Sequence, residues 1–232
     1  MKSTAIILSA GKGKRMGTTV SKQYLELLGK PIIYYTIKAF EESKVDNIIV
    51  VCGKDDIEYI NKEIIEKYNL TKISAVTEGG AERYNSVYNG LCEAKQCDIV
   101  LIHDGARAFI RPDEINTIIE ETVKHDACVA AVKTKDTVKI SDENGYIKST
   151  PDRATVWNVQ TPQSFNYNII KEAYENIIGR NGERKGITDD AMVLETYNPD
   201  IKIKLVECSY ENIKITTPED MNMGESILTG RL

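Results

Sequence analysis

Histidine is scarce in this 232-residue chain: only His103 and His125 are present. Two imidazoles argue against a histidine-rich metal centre and against a Ser-His-Asp triad. The five cysteines (Cys52, Cys92, Cys97, Cys128 and Cys208) are odd in number, scattered and without a C-x-x-C pair. Most sit in apolar runs, so they read as reduced, buried thiols and not as disulfides or zinc ligands. No positive excess marks a nucleic-acid surface, since 30 Lys and Arg stand against 35 Asp and Glu for a net charge of -5. Long apolar runs of membrane-spanning length are missing, and Lys12 and Lys14 arrive too early for a signal peptide. The expected setting is the cytoplasm. Internal repeats and low-complexity segments are lacking as well.

What the chain does have is 41% hydrophobic residues, enough for one sizeable core. Short β-rich runs alternate with helical patterns. Strands are expected at Thr4–Ser9, Asn47–Val51, Ile73–Val76, Ile99–His103 and Ala127–Val132. Helices are expected at Ile32–Glu42, Asp55–Lys67, Ser86–Ala94 and Pro112 to about His125. Near-continuous apolar strands between helices imply a mostly parallel, doubly wound α/β sheet of Rossmann-like type, covered on both faces. Its ligands belong beyond the carboxyl ends of the strands. The alternation breaks at Asp136. Thr137–Ile140 and Tyr146–Ser149 flank Asn144-Gly145, a strong hairpin signal. A lone hairpin with so little apolar surface needs support from its own domain or from a second subunit. Helices at Tyr167–Asn176, Asp189–Glu195 and Pro218–Leu228, with a strand at Ile201–Val206, complete the pattern of a single domain over 1–232 carrying an arm at 134–156.

The loop after the first strand, SAGKGKRMG, reads as a candidate phosphate loop of unfamiliar kind. Gly11, Gly13 and Gly17 do not fit G-x-G-x-x-G, and about fifteen loop residues precede the next helix. The acid expected at the end of the second strand is replaced by Val51-Cys52-Gly53. The P-loop spacing is absent too. Instead the loop holds Lys12, Lys14 and Arg15, with Lys22 close behind. A dinucleotide diphosphate is a spectator and needs only backbone dipoles. A reacting nucleoside triphosphate builds negative charge on its departing pyrophosphate, and fixed cations then do catalytic work. The plain alternative is a solvated basic loop. Asp104, at the end of Ile99–His103, stands where one carboxylate could hold magnesium alongside phosphates, or could simply cap a turn. Arg107 could pair with a phosphate or with Asp104. His103 reads as buried and neutral.

Eight segments in order carry a resemblance: SAGKGKRMG, SKQYLELLGKPI, EGGAERYNSVYNGL, IHDGAR, DTVK, TPDRATVWNVQTPQSF, TDDA and NIKITTPED. Over nearly the whole chain the sequence resembles the 2-C-methyl-D-erythritol 4-phosphate cytidylyltransferase family. The resemblance implies a homodimer whose arms reach the partner's active site. It also implies transfer of a cytidylyl group from CTP to the alcohol phosphate, with magnesium. On the matching positions it implies that Arg15, Lys22 and Lys214 stabilise the reacting triphosphate. Asp104 would be the magnesium ligand and Arg107 a phosphate or substrate contact. Ala10, Gly11, Gly13, Gly80 and Ser86 would line the nucleotide pocket, while Thr137, Arg153 and Thr161 would contact substrate. Lys12 and Lys14 would only raise the local potential. Ala108 stands where the family often has proline, and Ala131-Val132-Lys133-Thr134 departs from the usual run before the arm. A ribitol 5-phosphate cytidylyltransferase shares the glycine loop, QTPQSF and the NIK-TTP element, but TPDRATVW and TDDA favour the methylerythritol enzyme. A non-catalytic nucleotide binder would be expected to lack Arg15, Lys22, Asp104 or Lys214.

Overall fold

In the computed structural model, which describes residues 1–11, 21–179 and 186–231, strand β1 (Ser3–Ser9) runs through the middle of the molecule. Its side chains alternate between two cores, with Ala5 and Ile7 on one face and Ile6 on the other. Both faces are covered, so both parities must be apolar, which accounts for the unbroken AIIL run. The chain then turns through a 3₁₀ segment, Lys22–Tyr24, into a hairpin of β2 (Glu26–Leu27) and β3 (Lys30–Pro31). That hairpin lies inside what the sequence pattern presents as plain loop. Its turn residues Leu28 and Gly29 both take positive φ, 50° and 74°.

Helix α1 (Ile32–Glu42) follows, then β4 (Asn47–Cys52). Helix α2 (Ile57–Tyr59) continues as a π-helical stretch, Ile60–Glu66, and β5 (Ile73–Glu78) leads into α3 (Arg83–Glu93). Helix α3 begins three residues before the sequence pattern places it. Next come β6 (Ile99–Asp104), α4 (Pro112–His125) and β7 (Ala127–Lys133). The arm carries two short strands, β8 (Ile140–Ser141) and β9 (Ile147–Ser149). Its turn is closed by the Asp142 carboxylate, which accepts from the Asn144 and Tyr146 N–H groups at 3.0 and 2.9 Å, with Gly145 at φ 85°. The expected hairpin is present but shorter than its pattern suggests.

Strand β10 (Trp157–Asn166) is absent from the sequence reading altogether. It is followed by α5 (Tyr167–Gly179), α6 (Asp190–Tyr197), β11 (Lys204–Glu207) and α7 (Pro218–Thr229). The seven-stranded sheet has the order β11-β7-β10-β6-β1-β4-β5. Strand β10 enters antiparallel between β7 and β6, and the remaining pairings in this sheet are parallel. One core, with Phe40, Ile48, Val50 and Ile118, lies under α1, α2 and α4. The other, with Val87, Phe165, Tyr174 and Leu194, lies under α3, α5 and α6. A third, smaller cluster joins Leu27, Phe109 and Ile215, with the buried Ala108, to α7. The carboxyl ends of β1, β5 and β6 open on one cleft.

Candidate active site

The cleft has a volume of about 1000 Å³ and is walled by Ala10 and Gly11 after β1, by Glu78–Arg83 and Ser86 at the end of β5 and the start of α3, and by Asp104 and Ala106 at the end of β6. Lys22, Lys214 and Thr216 close it from the other side. The buried Gln23 amide fixes the described end of the glycine loop: it donates to the carbonyls of Ser9 and Gly11, the latter at 3.2 Å. Lys22 Nζ donates to the Ile215 carbonyl at 2.8 Å, which ties the loop's far end to the segment carrying Lys214. Gly13 and Arg15, together with Lys12 and Lys14, lie outside the described residues.

Gly80 and Ser86 meet at the mouth of α3. The Gly80 N–H donates to Ser86 Oγ at 3.0 Å, and Ser86 Oγ donates to the Glu82 carbonyl at 3.3 Å. A Cβ at Gly80 would run into the Asn85 side chain, so the backbone can follow this path only without one. Glu82 and Asn85 form a capping box at the start of α3. The early start has a consequence: it places Arg83 in the first turn, facing the cleft.

Asp104 is the centre of charge. Lys214 Nζ donates to Oδ2 at 2.7 Å, Arg83 Nε lies 3.6 Å from Oδ1, and Arg107 Nε lies 3.9 Å from Oδ2. Burial alone would push the Asp104 carboxyl up, but Arg83 and Lys214 hold it far below the ordinary carboxylate range, so it is ionised. Arg83 is itself clamped from behind: its two terminal nitrogens donate to both oxygens of the fully buried Asp190 at 2.8 and 2.7 Å. Asp190 Oδ1 also accepts from Tyr174 OH at 2.6 Å. Gln163 Oε1 accepts from the N–H groups of Asp190 and Ala191 at 3.0 and 2.8 Å, and Gln163 Nε2 donates to Asp189 at 2.9 Å. The TDDA segment thus builds a buried anchor for Arg83. No motif spacing points to Arg83 or Gln163, because their partners lie 107 and 27 residues away along the chain.

Beneath Asp104 lies a second polar layer. The Asp104 N–H donates to Thr161 Oγ1 at 3.1 Å, and Thr161 Oγ1 is 3.0 Å from His103 Nδ1. His103 Nε2 is 3.1 Å from the Arg107 carbonyl, which can only accept. The proton is therefore on Nε2, Nδ1 is the acceptor, and Thr161 donates to it. Burial drives the His103 pKa down to about 4, so the ring is neutral and structural. Thr161 is 5% exposed with its hydroxyl engaged on both sides, so it supports Asp104 from below and does not line the cleft. Arg107 is likewise behind the cleft wall: Nη1 donates to the Asn212 carbonyl at 2.8 Å. Thr137 and Arg153 stand exposed on the arm, with Arg153 Nη1 donating to the Lys135 carbonyl at 3.1 Å.

The thiols take no part. Cys52 and Cys208 are pushed up to about 12 and Cys128 to about 11 by burial, and all five are free. Among the described residues no three His, Cys, Asp or Glu side chains gather as a self-sufficient metal cage, and no helix is long and apolar enough to cross a membrane.

A cleft at the carboxyl edge of a mostly parallel sheet, bordered by Ala10 and Gly11 after β1 and centred on Asp104 among cations, has the charge layout a nucleotidyltransferase needs. The comparisons with known proteins narrow the class. The family model described as 2-C-methyl-D-erythritol 4-phosphate cytidylyltransferase matches residues 3–230. Proteins of that description from Lachnoclostridium phytofermentans and Alkaliphilus oremlandii are 53% and 49% identical to this chain. They cover 98% and 99% of it, and the alignments span 96% of each relative. The solved 4-diphosphocytidyl-2C-methyl-D-erythritol synthase from Anaerococcus prevotii superposes with a TM-score of 0.86 at 37% identity, covering 98% of this chain and 96% of that one. A cytidylyltransferase structure from Francisella tularensis superposes at 0.79 with 32% identity, covering 98% of this chain and 100% of its own. The chain belongs to the 2-C-methyl-D-erythritol 4-phosphate cytidylyltransferase family and is a nucleotidyltransferase enzyme.

Proposed function

We propose that the cleft binds CTP and 2-C-methyl-D-erythritol 4-phosphate and forms 4-diphosphocytidyl-2-C-methyl-D-erythritol and pyrophosphate, a step of non-mevalonate isoprenoid biosynthesis. The observation that carries this reading is the cluster of Arg83, Arg107 and Lys214 around Asp104, with Lys22 lining the same cleft beside the Lys214 segment. The nucleophile is a phosphate monoester, whose second pKa of about 6 leaves it mostly dianionic near neutrality. It needs no general base, which suits a site whose nearest histidine is buried and neutral. The difficulty is to bring two polyanions together with the attacking oxygen in line with the α-phosphorus, and cations placed in advance relieve that repulsion. In this reading Lys22 and Lys214, with Arg15, bear on the triphosphate, and Ala10, Gly11, Gly80 and Ser86 on the nucleoside.

Magnesium fits the donor set. It asks for one or two hard oxygen ligands and takes the rest from phosphates and water. Asp104 is an ionised carboxylate lining the cleft, and Arg83 holds 3.6 Å from its Oδ1, beyond a charge-assisted hydrogen bond. Bound there, the ion would supply charge neutralisation of the triphosphate. The arm extends this reading to a homodimer. Ile140, Tyr146 and Ile147 are 47%, 74% and 67% exposed on it, an apolar display that a second copy would cover, bringing Thr137 and Arg153 toward the partner's alcohol phosphate.

Pyrophosphate release, measured with CTP and magnesium against either alcohol phosphate, tests the reaction. Turnover is expected with methylerythritol phosphate, and Lys214→Ala is expected to cut kcat by about 10² to 10³. Release with ribitol 5-phosphate alone would overturn the substrate and keep the chemistry.

A further inference from the structure

We propose that Arg83, anchored by Asp190, is a positioning residue that sets the charge felt at Asp104 and thereby how tightly the cleft holds a divalent cation. The inference rests on reading Asp104 as the cation-binding carboxylate. Its basis is the chain Tyr174–Asp190–Arg83–Asp104. A guanidinium fork matched bidentately to a carboxylate has one orientation, and here both bonds are short, 2.8 and 2.7 Å. The anchor cannot turn away, because Asp190 is fully buried and is held by Tyr174 OH at 2.6 Å and by its own N–H on Gln163 at 3.0 Å. Held so, Arg83 presents Nε to Asp104 Oδ1 at 3.6 Å, longer than the 2.7–2.9 Å of a charge-assisted hydrogen bond. It contributes field to Asp104 without occupying that oxygen. Lys214 takes the other oxygen.

The two residues therefore act on Asp104 with opposite sign. Arg83 opposes a divalent cation at Asp104 by charge repulsion, and Asp190 offsets Arg83. Loss of the Arg83 charge should tighten cation binding. Loss of the Asp190 charge, with Arg83 intact, should weaken it. A pair that served only to hold α3 against α6 would shift both variants the same way.

The experiment titrates Mn²⁺ alone into the full chain, following the free-ion EPR signal, with thermal unfolding recorded for each variant. Arg83→Gln is expected to bind Mn²⁺ about fivefold more tightly and Asp190→Asn about fivefold more weakly, within the ordinary range of site coupling. In the Arg83→Gln background, Asp190→Asn should weaken binding less than it does with Arg83 present, since only its own more distant charge is then lost and not its hold on Arg83. Shifts in the same direction, or no shift in either, would overturn the proposal. If a single variant does not fold, the apolar pair Arg83→Met with Asp190→Leu removes both charges without stranding one. It should still bind Mn²⁺ more tightly than the parent, and weaker binding would count against the coupling. Asp104→Asn separates the two ideas: Mn²⁺ binding that survives this change unaltered defeats the cation reading of Asp104 itself.

Discussion

Two polar regions of this enzyme carry its candidate site residues, and they could hardly be built more differently. The floor of the cleft, Asp104 with Asp190, Gln163, Thr161 and His103, is buried, with the half-buried Arg83 reaching into the cleft, and its polar groups bond to one another. The arm from 134 to 156 lies almost wholly in solvent, and Arg153 spends one bond on the Lys135 carbonyl. In the floor, stability and chemistry draw on the same side chains, so each substitution should disturb both. On the arm they are separable.

The largest effect expected from breaking the floor comes from Asp190→Ala. It removes the buried carboxylate that holds Arg83. Breaking a fully buried pair costs about 3–5 kcal/mol, and because the Arg83 side chain is 32% exposed at the cleft that figure is an upper bound. Urea unfolding at pH 7 measures it, and a loss under about 1 kcal/mol would mean that solvent reaches the pair. Acid should loosen the same region next. His103 titrates near 6.5 when unfolded and near 4 when folded, so the folded state binds the proton less well. The stability it contributes is complete above about pH 6.5 and falls as pH drops from there toward 4, by about 3 kcal/mol in all. A His103→Phe variant whose unfolding free energy shows the same slope over that window would remove His103 as the cause. Thr161→Val sharpens the contrast further: it leaves the Asp104 N–H and His103 Nδ1 without a partner at about 1–3 kcal/mol, although Thr161 touches no cleft surface. Arg153→Ala, at the other extreme, should change stability by less than about 0.5 kcal/mol. Turnover should nonetheless fall through a raised KM for the alcohol phosphate if the arm serves a partner's site. Unchanged kinetics would leave the arm as a clamp alone.

The same contrast explains what could be read from residue order. Strands β1, β4, β6 and β7 are legible because two-sided burial demands apolar residues at both parities, a local signature. Strand β10 is not: WNVQTPQSFN buries Gln160, Thr161, Gln163 and Ser164, and a polar decapeptide with a proline reads as loop. It is a strand in the sheet's interior only because each polar group meets a distant partner: Asn212 for Gln160, Asp104 for Thr161, the start of α6 for Gln163, Thr122 for Ser164. Arg83 is hidden for a related reason. The helix that carries it starts at a capping box whose first member is a glutamate, a poor sequence signal for a helix start.

By itself, then, the order of residues determined the α/β architecture, the cleft's place at the carboxyl strand ends, and Lys22 and Asp104 as charged members of the cleft, since periodicity and turn chemistry are local. Lys214 was legible only through the resemblance carried by NIKITTPED. Only the tertiary structure decided that Thr161 and Arg107 stand behind that cleft and that Arg83 stands in it. It alone decided that Asp190 and Gln163 hold Arg83 there. The reason is that a buried polar group takes its role from whichever partner the fold brings within about 3 Å, and that distance has no counterpart along the chain.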